Sequence, residues 1–315
     1  MGASTSLGAR EDIELRTEDR VSLRATLTEP RTTPIGTAVL AHAMMARRSS
    51  FDRPKGEGFA ARLVRAGFRT IAFDFRGHGE SAKPASKGYS WSYDDLVRFD
   101  FPTVVACARE RAEGRPVVVV GHSLGGHVAF AAQGTGAIAA DAIVGLSTNI
   151  WIASLDSSKP RVLLKRSMLE AIALLGRAWG YVPSRRLGFG SDDEANAYFQ
   201  DLLRFQREGR WASGDGRFDY LAALKNVTCP ALIVASDGDR LESIPECAAA
   251  FLRNTGGKQT FIRVVKNVDV RQPPDHMGVL TSGKMGRVRD EIVTWLSREL
   301  ALPETIGAAT IVDRD

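Results

Sequence analysis

The chain has 315 residues, of which 44% are hydrophobic and 25% charged, with a formal net charge of +5. This balance excludes a disordered or collagen-like chain and allows one large domain with an insertion, or two small ones. Its three cysteines, Cys107, Cys229 and Cys247, contain no CxxC pair, which argues against a disulfide framework or a thiolate metal site and for a reducing compartment.

Residues 1–17 offer small polar side chains where a signal peptide needs a positive start and an apolar run, and no stretch of about 18 apolar residues follows. The expectation is a soluble cytoplasmic protein with no stable membrane insertion. Met1, Gly2 and Ser6 match a myristoylation pattern only formally. Basic residues are scattered among Asp and Glu without a recognition motif, which reads as a solvated surface, not a nucleic-acid partner.

The first apolar run, 21–27, alternates as an edge hairpin strand would. Runs follow at 37–41, 70–73, 117–120, 142–146, 231–235 and 260–265, several of them apolar on both faces, as strands buried in a parallel sheet require. Amphipathic helices are predicted at 57–66, 93–112, 124–133 and 286–300, so the alternation specifies an α/β fold with a mostly parallel, doubly wound sheet. Between 149 and 226 the rhythm breaks. Val162, Leu163, Leu164, Met168, Leu169, Ile172, Leu174, Leu175 and Trp179 recur at helical spacing, a second helical stretch covers 194–206, and no strand-like run is apparent. The expected organisation is a core over 1–148, a helical cap at 149–226 inserted between two core strands, the rest of the core over 227–302, and a polar tail at 303–315.

The chemistry starts where the valines of 117–120 run into Gly121, His122, Ser123, Leu124 and Gly125, with a helix following. A serine at the tip of a tight strand-to-helix turn exposes its hydroxyl, and glycines two residues either side remove the Cβ atoms that would clash there. The helix start supplies backbone N–H groups, so the Leu124 N–H can receive a developing oxyanion. A serine needs a base oriented by a carboxylate. His276 is the one histidine beyond the last strand run, in the loop from Gln272 to Gly278, and is the expected base. Asp237 and Asp239 both follow the run at 231–235; Asp239 is preferred as the acid, with Asp237 as a turn former.

Four histidines remain. His42 precedes Ala43 and Met44, where a loop N–H would complete an oxyanion hole, the Met44 N–H being preferred to that of Ala43. His42 itself reads as structural. His78 is expected to brace the loop 74–81, with Asp74 and Arg76 as a charge pair; His127 is expected to pack on its helix, and the His122 side chain to project away from the site. No set has zinc spacing. Gly278 to Lys284 resembles a phosphate loop, but Met285 stands where a magnesium-binding Ser or Thr is needed, and no Gly-x-Gly-x-x-Gly follows the first strand. No metal and no cofactor are therefore expected.

Together, His42-Ala43-Met44, the Asp74, Arg76, Gly77, Gly79 and Ser81 pattern, the Gly121 to Gly125 turn, Asp239 and His276 resemble the α/β-hydrolase superfamily over nearly all of 12–302. The helical insertion and the segment 179–190 look like predicted bacterial hydrolases of the serine aminopeptidase and monoacylglycerol lipase type. Ala43 departs from the glycine common after that histidine and narrows the approach to the oxyanion. The resemblance implies an acyl-serine mechanism: Ser123 attacks, His276 takes its proton, Asp239 holds the imidazole, and the Leu124 and Met44 N–H groups stabilise the tetrahedral anion. Trp151, Trp179 and Tyr181, with Ile152, Leu174, Phe189 and Trp211, suggest an apolar pocket for a small-molecule acyl substrate, hence carboxylic esters of small to medium size.

The rival readings are a thioesterase or acyltransferase, an aminopeptidase that would use Asp192, Asp193 and Glu194 for an ammonium group, and a non-catalytic scaffold. The acidic run reads more simply as a solvated helix start. Oligomeric state is left open.

Overall fold

The computed structural model describes residues 8–267 and 270–302; the tail at 303–315 and the Met1, Gly2, Ser6 pattern lie outside the described residues. Ten strands are assigned among them: β1 (Arg10–Arg16), β2 (Ser22–Thr28), β3 (Gly36–Ala41), β4 (Phe68–Phe73), β5 (Val117–His122), β6 (Ala142–Leu146), β7 (Tyr181–Val182), β8 (Glu194–Ala195), β9 (Ala231–Ser236) and β10 (Gln259–Val264). Eight form one sheet in the order β1-β2-β4-β3-β5-β6-β9-β10, with β4 to β10 mutually parallel and β1 and β2 joined antiparallel at one side.

The two-residue period of the strands sorts their side chains into two cores. Val117, Val119, Ile143, Ile233 and Val39 face the layer that contains helices Phe101–Ala112, Leu124–Gly134 and Pro245–Leu252. Val118, Val120, Val144, Leu232, Val234 and Leu40 face the layer of helices Phe59–Arg65 and Gly286–Glu299. Each of these strand residues is fully buried, and each stabilises the fold by roughly 1.5–3 kcal/mol before chain entropy is counted. That double burial is why β3, β5, β6 and β9 read as continuous apolar runs.

The fold departs from the sequence reading in four places. The run at 21–27 is β2, not an edge: β1 covers it, pairing Arg10 to Arg16 with Thr28 to Ser22. β1 escapes a hydropathy reading because five of its seven residues are charged and exposed, which suits an edge strand. The helix expected over 93–112 is broken into Tyr93–Asp95, a wide π turn Leu96–Asp100, and Phe101–Ala112. Pro102 has no N–H to give to the carbonyl four residues back and its ring displaces that carbonyl, so the turn widens there. Finally, the segment between β6 and β9 holds two long helices, Lys159–Trp179 and Asn196–Glu208, but also the short antiparallel pair β7–β8, where no strand was expected. Two-residue strands carry no periodicity to read.

Because the six parallel strands run the same way, the loops after β3, β4, β5, β6, β9 and β10 gather at one edge of the sheet. The order reverses at β3, with β4 on one side and β5 on the other. Crevices open at such reversals, outside the carboxyl ends of the strands.

Candidate active site

Ser123 sits where β5 passes into helix Leu124–Gly134, with φ 51° and ψ −111°. A serine rarely adopts a positive φ, and it persists here because the surroundings over-determine the turn. The Ser123 N–H bonds to the Leu146 carbonyl at 2.9 Å, and its own carbonyl accepts from Gly126 at 3.0 Å and His127 at 3.1 Å. The flanking glycines are needed for space: a Cβ on Gly121 would run into the Gly125–Gly126 backbone, and one on Gly125 into the Ala41 carbonyl.

Asp239 and Asp237 are separated cleanly by their partners. Asp237 lies at the rim, 2.7 Å from the Arg263 guanidinium. Asp239 is 1% exposed. Its Oδ1 accepts two backbone N–H groups, from Glu242 and Ser243, at 3.0 Å each, and its Oδ2 accepts His276 Nδ1 at 2.6 Å. Burial works to raise the Asp239 carboxyl, but the His276 bond and charge with the Ser243 and Glu242 contacts outweigh it and hold it below the usual value.

His276 is fixed by two ties in addition to that bond. Ser236 donates its hydroxyl to the Pro274 carbonyl at 2.6 Å. His122 Nε2 donates to the His276 carbonyl at 3.0 Å, the two rings lying 5.2 Å apart. Burial, followed by the charge of His276, pushes His122 down to about 3, so it is neutral and keeps its one proton on Nε2. This corrects the expectation that its side chain projects away: it ties the His276 loop to the residue beside Ser123. Sequence could not show this, because the bond joins positions 154 residues apart. Glu242 was also missed. Its carboxylate, Asp239 and His276 present donor atoms within 4.8 Å of one another, and burial raises its carboxyl. The His276 Nδ1–H already points into Asp239, which is the chemistry of a proton-handling pair.

At the opposite side, His42 Nδ1 donates to the Ala43 carbonyl at 2.7 Å, while Nε2 accepts the Phe75 N–H at 3.1 Å. Burial and the nearby charge of His78 keep this ring neutral, so both bonds are satisfied by one tautomer. The Gly125 N–H bonds to the His42 carbonyl at 3.1 Å, joining this loop to the serine turn. Among the described residues, no protein acceptor engages the N–H of Leu124 or of Met44. His127 accepts or donates to Tyr93 Oη at 2.9 Å through Nδ1 and packs in the core.

Other expectations are corrected. Asp74 and Arg76 do not pair: Asp74 binds Arg48, while Arg76 forks between Asp100 and Asp19 at 2.8 Å each. The loop 74–81 turns these side chains to opposite sides. The acidic run is no solvated helix start. Asp192 is buried and bound to Arg47, with one contact of 2.6 Å, and Glu194 is fully buried against His78 at 2.9 Å.

Of the three aromatics expected at the substrate, Trp151 lies beside the acid loop, donating Nε1 to the Glu242 carbonyl at 2.7 Å beneath the Lys165 ammonium, which is 5.1 Å from its ring. Tyr181 is half-buried in β7, and Trp179 ends its helix 47% exposed. Trp211 belongs to the core instead: it is fully buried among Tyr93, His127, Tyr220 and Phe251.

A parallel sheet with a strained serine after its central strand and an acid and a histidine on later loops defines an α/β hydrolase. Residues 38–278 match the model of the alpha/beta hydrolase family, and the chain belongs to that family. It is 28% identical over 292 residues to a monoacylglycerol lipase of Mycolicibacterium smegmatis, covering 86% of this chain and 91% of that one. Solved structures share the fold: an alpha/beta hydrolase from Penicillium (TM-score 0.64, 15% identity, 93% and 99% of the two chains) and a monoacylglycerol lipase from Paleococcus ferrophilus (TM-score 0.59, 16% identity, 87% and 98%). No helix among the described residues is long and apolar enough to cross a membrane.

Proposed function

We propose that the protein is a serine hydrolase that cleaves carboxylic esters of small to medium apolar substrates through an acyl-Ser123 intermediate. The observation that carries this is the 2.6 Å bond from His276 Nδ1 to a buried Asp239, on a loop that His122 ties to the strained serine turn. With its Nδ1 proton committed to Asp239, His276 is left with a lone pair on Nε2, the state that can accept the Ser123 proton. Ser123 Oγ adds to the ester carbonyl, and the oxyanion is received by the N–H groups of Leu124 and Met44. His276 then returns the proton to the departing alcohol. Water, deprotonated by the same imidazole, releases the acid and restores Ser123.

The segment 149–226 acts in this reading as a cap over the loops, with 1–148 and 227–302 as the core. Trp151 meets the acid loop through its bond to the Glu242 carbonyl, and Trp179 and Tyr181 are the further aromatics that this reading gives to the substrate. The relative named monoacylglycerol lipase supports an ester with an apolar acyl chain. The aminopeptidase reading loses its ammonium site, since Asp192 and Glu194 are engaged by Arg47 and His78. The three free thiols suit the cytoplasm.

The test is the rate on p-nitrophenyl esters of two to sixteen acyl carbons, with fluorophosphonate labelling, in wild type and Ser123→Ala. Turnover and labelling, both abolished in the variant, are expected. Labelling without turnover on any ester would favour acyl transfer, and neither in folded protein would favour a scaffold.

A further inference from the structure

The 190–194 strap that leads into β8 is wrapped around one residue of the β3 loop, Met45. Met45 is a non-glycine at φ 58°, a conformation that costs about 1–2 kcal/mol and needs outside support. The support comes from the strap. Glu194 Oε1 accepts the Met45 N–H at 2.6 Å, and the Met45 carbonyl accepts the Ser191 N–H at 2.7 Å. A Cβ on Gly190 would overlap Met45 itself, and Arg47 closes the strap by pairing with Asp192.

Glu194 is held in turn by His78. The ring's Nε2 meets Glu194 Oε1 at 2.9 Å and its Nδ1 meets the Arg76 carbonyl at 3.1 Å. Both partners are acceptors, so both ring nitrogens must donate, and an imidazolium faces a carboxylate with neither side chain exposed to solvent. A buried pair of this kind is weak evidence for stability and better evidence for fixing one geometry.

The geometry fixed is that of the neighbouring N–H. The Met44 N–H belongs to the same planar unit as the Ala43 carbonyl, and in a trans peptide the two point in opposite directions. His42 Nδ1 at 2.7 Å and the Ala46 N–H at 3.2 Å hold that carbonyl. Glu194 holds the next unit by its N–H. Between these ties the Met44 N–H has little rotation left. We propose that Glu194, reaching from the inserted segment, is a positioning residue that aims the Met44 N–H at the oxyanion, so that the strap and the oxyanion site assemble together. This rests on the acyl-serine reading above.

The test compares wild type with Glu194→Met, similar in length but with no oxygen to accept the Met45 N–H, and with Asp193→Asn in the same strap as control. For each variant, kcat and KM on p-nitrophenyl butyrate are measured. So are the inhibition constants of an alkyl trifluoromethyl ketone and of the matching secondary alcohol. The ketone adds the Ser123 oxygen and develops an oxyanion as His276 takes the proton; the alcohol fills the same space without one. Glu194→Met is expected to lower kcat on the order of 10- to 100-fold, below the loss from deleting an oxyanion donor outright. Ketone binding should weaken by the same factor, with KM and alcohol binding within about twofold, and Asp193→Asn should match wild type.

Equal losses of ketone and alcohol binding, or no loss of either, overturn the proposal. Should Glu194→Met not fold, Arg47→Gln with Asp192→Asn releases the other edge of the strap, and the same ketone-to-alcohol ratio decides. Ser123→Ala run in parallel separates the two ideas: turnover surviving there defeats the serine mechanism, whereas a dead Ser123→Ala beside an unaffected Glu194→Met defeats only the positioning role.

Discussion

Asp239→Asn changes one atom of the acid and its effect can be worked out from the bonds around it. Oδ1 keeps both backbone donors, Glu242 and Ser243, each at 3.0 Å, so the amide oxygen must take that place and the new NH2 must take the place of Oδ2. That NH2 then faces His276 Nδ1 across a 2.6 Å gap built for an acceptor. His276 must turn its lone pair to the amide and move its proton to Nε2, which is the tautomer that cannot accept the serine proton. The wrong tautomer at an acyl-serine site lowers kcat by about 10³–10⁴-fold, equivalent to roughly 4–5.5 kcal/mol of transition-state stabilisation. Stability should fall by little more than about 1–3 kcal/mol, the range for one charged hydrogen bond. The assay is kcat on p-nitrophenyl butyrate with an unfolding curve on the same sample. Asp237→Asn is the comparison, since that carboxylate meets only an exposed arginine; it should stay within about twofold. A folded Asp239→Asn within tenfold of wild type, or an Asp237→Asn as damaged as Asp239→Asn, would refute the assignment of the acid.

Three further outcomes are expected. Gly125→Ala drives a methyl into the Ala41 carbonyl and should destabilise the fold by about 1–3 kcal/mol while abolishing turnover, read by urea unfolding and ester hydrolysis. Trp211→Ala empties a fully buried site between Tyr93, Tyr220 and Phe251 and should cost about 3–5 kcal/mol, whereas the half-exposed Trp179→Ala should change the urea midpoint little and raise KM for the longer esters only. His78 gives a pH signature: burial opposes its charge, but Glu194, with Asp192 and the Arg76 carbonyl, raises it to about 9. The groups around it are Glu194 and Asp192 from the strap, the buried Asp74, neutral His42 with its ring at 5.0 Å, and Trp91. Between the unfolded value near 6.5 and 9 the native state holds a proton that the unfolded chain has lost, so stability must fall as pH rises through that window. The pair's contribution is complete below about 6.5. Urea midpoints from pH 6 to 9.5 should decline more steeply in wild type than in His78→Gln, and parallel curves would show that the ring is not charged.

Much of this protein is legible without coordinates because its parallel strands are buried on both faces. The valines at 117–120 and the run at 231–235 admit no other setting, and once they are strands, Gly121 and Gly125 make a sharp turn of the residues between them. Chain order alone then put an acid after β9 and a histidine after β10. What sequence could not supply are contacts whose partners lie far apart along the chain and whose residue types are common. His122 beside the serine reads like any buried imidazole until the fold brings the His276 carbonyl to it. Asp192 and Glu194 read as a solvated acidic run because nothing local reveals that Arg47 and His78, more than a hundred residues earlier, will enclose them. Asp74 and Arg76, two apart on a turning loop, suggest a pair that the backbone directs to opposite sides. Local patterns report burial and backbone geometry, which depend on near neighbours; pairing of charges and hydrogen bonds is settled only when the sheet closes and the inserted segment settles on its loops.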